Sequence, residues 1–199
     1  MLAIEAIATV AGLLCVWLLV RQNIWTWAAG LVQVTLYVYV FYHAKLYSDL
    51  ILHLIYIVLQ FVGWYQWRHG GRARSELAVS RLSRRGNAAA LALTLGGAAA
   101  WGTFMATKTD AALPWGDAFT MVASLVAQGL QTRKKLETWL YWIAVDVVAI
   151  AVFFIKQLYL TTGLYFVFLI LSAIGFVEWK REFGAADARA DTLPDLSSP

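Results

Sequence analysis

Thiols are almost missing from this sequence. Cys15 is the single cysteine, so an intramolecular disulfide or a thiolate metal site is excluded, and its place in an apolar run marks it as inert packing. Charge is scarce as well. Asp, Glu, Lys and Arg make up 14% of the chain against 61% hydrophobic residues, too little for an ordinary soluble domain. Signatures of catalysis are missing too: there is no Gly-rich phosphate loop, no Walker motif, no His/Glu metal spacing, and no Ser or Cys beside a base and its orienting partner. The sequence therefore points away from an enzyme, from transport driven by its own ATP hydrolysis, and from any metal or cofactor. The first apolar run has no basic n-region and leads at once into a second, so it reads as a span rather than a signal peptide.

What the chain has is apolar length. A spanning helix needs about 20 mostly apolar residues, and such runs occur at 2–20, 24–42, 50–67, 88–107, 116–132, 137–155 and 158–178. This predicts an all-α integral membrane protein of seven transmembrane helices. A pI of 9.3 suggests nucleic acid at first sight, but the basic residues follow membrane topology instead. Thirteen of the sixteen Lys and Arg residues fall in the odd-numbered connections or the C-terminal tail, leaving Lys45, Lys108 and Lys156 on the other side. The positive-inside rule then places the N-terminus outside and the C-terminus in the cytoplasm, in a multi-pass protein of a bacterial inner membrane.

Sliding the chain against itself by 112 residues lays the first three spans on the last three without a gap. Arg21 meets Arg133, Trp27 meets Trp139, "KLY" at 45–47 meets "QLY" at 157–159, and "GWYQWR" from Gly63 meets "GFVEWK" from Gly175. The expected organisation is a three-helix repeat at 1–67, a basic cytoplasmic loop at 68–87, a linker helix at 88–112, a second repeat at 113–183 and a disordered tail at 184–199. An odd number of spans per repeat plus one linking span gives both repeats the same orientation. That is a 3+1+3 parallel-repeat plan with a substrate site between the halves.

Polar side chains at membrane depth face the bundle interior or a wet cavity, so their helical phase locates that cavity. The second span offers Gln33 and Tyr37; the third Asp49, His53, Tyr56, Gln60 and Trp64; the fifth Asp117, Thr120, Ser124, Gln128 and Gln131; the sixth Trp139, Trp142 and Asp146. Each has a plainer reading. Gln33, Gln60 and Ser124 also serve as interhelical hydrogen-bond glue, His53 as a satisfied neutral histidine or a proton carrier, and Asp49 and Asp117 as helix caps. Trp25, Trp67, Trp115 and Trp179, at span ends, read as interfacial anchors. Asp146 stands apart, about 15 Å into its helix at 1.5 Å per residue, with no Lys or Arg inside a span to pair with. Either it is protonated or it meets a cation from outside, and Trp142 one turn away offers that cation an indole face. A non-transporting scaffold, with the stripes as packing glue, remains the reading from another class.

Beyond these residues, "EAIATVAGLLCVWLL", "GLVQVTLYVYVFYHAKLYSDLILHLIY", "GWYQW" and "TRKKLETWLYWIAVDVVAI" resemble the Pnu family of bacterial B-vitamin transporters over nearly the whole chain. The resemblance implies a 3+1+3 fold similar in plan to the SWEET sugar transporters, and facilitated diffusion with a cytosolic vitamin kinase trapping the substrate. Homo-oligomers are left open. It carries the family's aromatic and amide contacts onto Trp142 and position 146, where this chain has Asp in place of Asn. A carboxylate suits the pyridinium of nicotinamide riboside or the thiazolium of thiamine and does not suit neutral riboflavin. Nicotinamide riboside is the expected substrate; thiamine is the alternative, since "VDVV" and Gln128 resemble the thiamine branch. The expected substrate set is Trp142, Asp146, Gln33, Tyr37, His53, Gln60, Ser124, Gln128 and Trp139, moved by alternating access, with proton coupling through Asp146 or His53 a further alternative.

Overall fold

Backbone N–H and C=O groups find no water inside a bilayer, so a chain this apolar satisfies them within helices. The computed structural model, which describes residues 2–43, 47–109 and 111–192, has seven: α1 (Leu2–Val20), α2 (Thr26–His43), α3 (Tyr47–His69), α4 (Arg84–Lys108), α5 (Pro114–Thr132), α6 (Thr138–Ile155) and α7 (Tyr159–Thr192). Four of them, α3, α4, α6 and α7, are long and apolar enough to cross a membrane on that ground alone. The polar stripes of α2 and α5 lower their hydropathy below the same mark, as expected of helices whose polar faces turn inward. The ends have local causes. Pro114 opens α5 with Asp117 in its first turn, and the Ser83 hydroxyl caps α4 by accepting from the Gly86 amide at 3.1 Å.

One boundary departs from expectation. α7 runs on to Thr192, so residues 184–192 of the anticipated disordered tail are helical. An Ala-rich segment with Arg propagates a helix already nucleated in the membrane at little cost. Residues 193–199 lie outside the described residues.

The helix contacts close into a ring: α1 on α2, α2 on α3, α3 on α5, α5 on α6, α6 on α7, and α7 back on α1. α4 packs on α5 outside it, with Gly97 against Val122 and Gly102 against the Trp115 ring. Repeat meets repeat at α1–α7 and α3–α5, which are the same junction under the 112-residue register.

That register holds at atomic detail. Thr26 Oγ1 donates to the Cys15 carbonyl at 2.9 Å, and Thr138 Oγ1 to the Ala127 carbonyl at 2.8 Å. Gln22 and Lys134 both take left-handed backbone, with φ of 53° and 50°, where α1 and α5 end. The rings of Trp27 and Trp139 fill the notches left by Gly63 and Gly175. Trp27 meets Trp67 edge-on at 5.4 Å and Trp139 meets Trp179 edge-on at 5.4 Å, while Trp67 and Trp179 lie 5.8 Å apart with their planes tilted by 57°. Across the junction Trp67 Nε1 donates to the Gln131 carbonyl at 2.9 Å, and Trp179 Nε1 to the Leu19 carbonyl at 3.1 Å. Residues 19 and 131 are themselves register partners.

Trp67 and Trp179 are therefore not interfacial anchors: they are 3% and 0% exposed. Each indole N–H finds a carbonyl of the opposite repeat, which removes the need for a wet headgroup partner. Trp25 and Trp115 do stand exposed. The same basic end is closed by the 77–82 segment. The Ser80 amide donates to the Lys134 carbonyl at 3.1 Å, the Leu136 amide to the Ser80 carbonyl at 2.9 Å, and the Leu82 amide to buried Glu137 at 3.0 Å. Lys134 lies 4.7 Å over the Trp67 ring, and burial there pushes its ammonium below the ordinary lysine value, against the opposing pull of Glu182 and Glu76.

Glycine is required at two places here. Gly63→Ala or Gly175→Ala thrusts a methyl into a rigid indole and is expected to lower stability by about 1–3 kcal/mol, as overpacking does. Gly96→Ala, with open space around it, is expected to change little. Thermal unfolding in detergent, following tryptophan fluorescence, compares the three.

Candidate functional site

Inside the ring, α6 brings two of the expected site residues together. Asp146 is 3% exposed and accepts from the Ser172 hydroxyl on α7 at 2.9 Å. Among the described residues no ion pair engages it. Trp142, one turn earlier, is half-buried and donates from Nε1 to Gln131 Oε1 on α5 at 3.0 Å. α6 sits between α5 and α7, so the two side chains are steadied from opposite neighbours. The carboxylate faces the bundle and not the lipid.

The facing repeat supplies aromatics and the Gln60 amide, and α5 adds Ser124 and Gln128. Tyr37, Phe41, His53 and Tyr56 cluster between α2 and α3, with ring centroids 4.8–5.6 Å apart for Phe41–His53, Tyr37–His53 and His53–Tyr56. The Tyr56 hydroxyl reaches Ser124 on α5, whose own hydroxyl donates to the Thr120 carbonyl at 2.6 Å. Tyr165 on α7 lies within electrostatic reach of both Asp146 and Tyr37. Gln60 and Gln128 are each 6% exposed, and each keeps a polar atom without a partner, Oε1 of Gln60 and Nε2 of Gln128. Buried amides are rarely left this way unless water or a ligand completes them.

Other expected residues sit elsewhere. Gln33 packs against Gly12 of α1, where a Cβ would come within 2.6 Å of its amide nitrogen. Trp139 is wholly buried in the tryptophan cluster, and its N–H, like that of Trp27, has no acceptor. The side chain of Asp49 lies outside the described residues. Asp117 does more than cap a helix: both its oxygens accept from Lys156 Nζ at 2.9 Å, an ion pair between the start of α5 and the end of α6. The signal for Lys156 was its place as a basic residue at the end of the span that follows α5. Two residues the stripes did not include are Ser172 and Tyr165, whose small or aromatic side chains on α7 carry no polar periodicity of their own. Among the described residues no cluster of His, Cys, Asp or Glu is arranged to hold a metal. An apolar groove of about 300 Å³ between α2 and α3 ends on Gln60, Trp27 and Trp64.

Residues 2–181 match the family described as nicotinamide mononucleotide transporter. The chain belongs to this family. It is 27% identical over 212 residues to the nicotinamide riboside transporter PnuC of Escherichia coli, covering 94% of this chain and 89% of that protein. It is 30% identical over 192 residues to PnuC of Neisseria mucosa, covering 89% and 72%. The riboflavin/roseoflavin transporter RibM of Streptomyces davaonensis is 27% identical over 196 residues, covering 96% and 89%. A crystal structure of the vitamin B3 transporter PnuC superposes with a TM-score of 0.71 at 29% identity, covering 89% of this chain and 80% of that one. The protein is thus a multi-pass inner-membrane vitamin transporter of the Pnu family, and its relatives are transporters, not enzymes.

The Asp117–Lys156 pair is structural by position, at the far end of α5 and α6 from Trp142. Lys156→Met is expected to cost stability by about 1 kcal/mol, in line with a partly exposed ion pair, and to leave ligand affinity within about twofold. Unfolding midpoints and a binding titration on the same preparation test both halves.

Proposed function

We propose that this transporter carries nicotinamide riboside, by facilitated diffusion, through a site built on Trp142 and Asp146. The observation that carries the reading is Asp146 itself: a nearly inaccessible carboxylate with one hydroxyl partner, one helical turn from an indole. Burying such a charge is costly unless a cation meets it, and a flat cation gains roughly 0.5–2 kcal/mol more over an indole. The pyridinium of nicotinamide riboside supplies both charge and plane. Gln60, Gln128, Tyr56 and Ser124 offer donors and acceptors for its ribose and carboxamide, with Tyr37 and His53 beyond them. PnuC relatives named for this substrate support the assignment.

In this reading the basic end, with Arg21, Arg68 and Arg133, faces the cytoplasm and the N-terminus lies outside. The two repeats rock about the α1–α7 and α3–α5 junctions, opening the site to one side at a time. Facilitated diffusion of this kind stops at equal concentrations, so in this reading a cytosolic kinase that phosphorylates the vitamin keeps uptake running. Thiamine is the second reading, because Asp146 serves a thiazolium as well as a pyridinium.

Titration of purified protein with nicotinamide riboside, thiamine and riboflavin, read by tryptophan quenching, tests the substrate. One cation is expected to bind, and Asp146→Asn, which keeps an acceptor for Ser172, is expected to weaken it at least about tenfold, or 1.4 kcal/mol. Equal affinity in Asp146→Asn sinks the charge argument. Kinase-free vesicles test the mechanism: uptake should stop at equal concentrations with or without a pH gradient, and accumulation driven by that gradient would establish proton coupling instead.

A further inference from the structure

We propose that Gln131 is a positioning residue for this site: its carboxamide sets the Trp142 indole, and its backbone joins that indole to the tryptophan closure between the repeats. The inference rests on Trp142 being the wall of the substrate site. Gln131 lies in the last turn of α5 and is 4% exposed. Its side-chain oxygen accepts from Trp142 Nε1 at 3.0 Å, and its carbonyl accepts from Trp67 Nε1 at 2.9 Å. One residue thus holds the site's ring with one group and the opposite repeat's tryptophan with another.

The internal repeat separates the structural part of this arrangement from the rest. At the register partner, Leu19, the carbonyl accepts from Trp179 Nε1 at 3.1 Å, so the backbone half belongs to the fold and occurs twice. The side-chain half occurs once. Leu19 has no amide to offer, and the partner of Trp142 is Gly30, which has no ring. The carboxamide at 131 is present only in the repeat that carries the indole and the carboxylate. Gln131 is itself 4% exposed, so water does not readily take the place of its carboxamide. A leucine there leaves the indole N–H without its acceptor and frees the ring to turn. Rocking that parts α3 from α5 strains the Trp67 bond and, through the same residue, the orientation of Trp142.

The test uses full-length protein labelled with 5-fluorotryptophan, with the Trp142 resonance assigned by Trp142→Phe. In ligand-free protein Gln131→Leu is expected to move or split that resonance, and Gln131→Glu, which keeps an acceptor, to restore a single one. Affinity for nicotinamide riboside should fall about tenfold in Gln131→Leu and return to within about twofold in Gln131→Glu, the range a single hydrogen bond commands. In the Trp142→Phe background, where there is no N–H to hold, Gln131→Leu should have no further effect. An unmoved Trp142 resonance in Gln131→Leu, or an equal loss of affinity with Phe at 142, overturns the proposal. Wild-type protein that binds none of the three vitamins overturns the substrate reading alone, since the resonance still judges Gln131.

Discussion

The architecture depends on two hydrogen bonds that are one bond seen twice. An indole on the third helix of each repeat, Trp67 or Trp179, gives its N–H to the carbonyl at the end of the first helix of the other repeat, Gln131 or Leu19. In lipid there is no hydrophobic force between helices, so association falls to close packing and to polar groups that would otherwise go unsatisfied. Both operate here. Carbonyls in the last turn of a helix lack their usual partner four residues on; those of Leu19 and Gln131 accept from the Gln22 and Lys134 amides at 2.9 and 3.0 Å, and the remaining lone pair of each takes the indole of the opposite repeat. The glycines at 63 and 175 then let Trp27 and Trp139 slide beneath, so that four large rings close one end of the ring of helices.

Symmetry of this kind builds a container, but it does not build a site. Under the same register Trp142 answers to Gly30, Asp146 to Val34, and Ser172 to Gln60. The second repeat has a ring, a carboxylate and a hydroxyl to hold it. In the first, the Gln60 amide packs into the notch at Gly30, where a Cβ would lie within 2.6 Å of it. One half presents charge and plane; the other presents aromatic edges and an amide oxygen still open to a donor. If the proposed site lies between them, a solute there meets the Asp146 carboxylate, which among the described residues has no ion-pair partner.

Much of this was legible in the sequence because apolar length and a lag of 112 residues survive without coordinates. The repeat could be read from Trp27, Trp139, Gly63 and Gly175 since large rings and the glycines beneath them must change together. Depth was legible for Asp146 because a carboxylate in mid-span has few excuses. Lateral direction was not. Trp67 and Trp179 lie at span ends, where tryptophans commonly face headgroups, and only the carbonyl opposite shows that they turn inward. Gln33 shares a helical phase with Tyr37, yet it packs on Gly12 of α1, because a helix in a ring has neighbours on both flanks of its inner face. Ser172 and Tyr165 carry no such signal, since the stretch of α7 from Gly163 to Val177 is otherwise apolar and one hydroxyl per two turns makes no stripe.

The partner of Asp146 bears on how the site works. A carboxylate offers about four acceptor positions, and Ser172 takes one on Oδ2, leaving Oδ1 and the rest of Oδ2 for a ligand. A hydroxyl neighbour fixes the side chain without cancelling its charge, as an arginine would. Had the bundle supplied its own cation, as Lys156 does for Asp117, a cationic solute would have to displace it and the site would discriminate against its own substrate. The contrast between these two aspartates, one paired with Lys156 and one left with a neutral donor, separates the charge that holds helices together from the charge that the proposed site reserves for a cation.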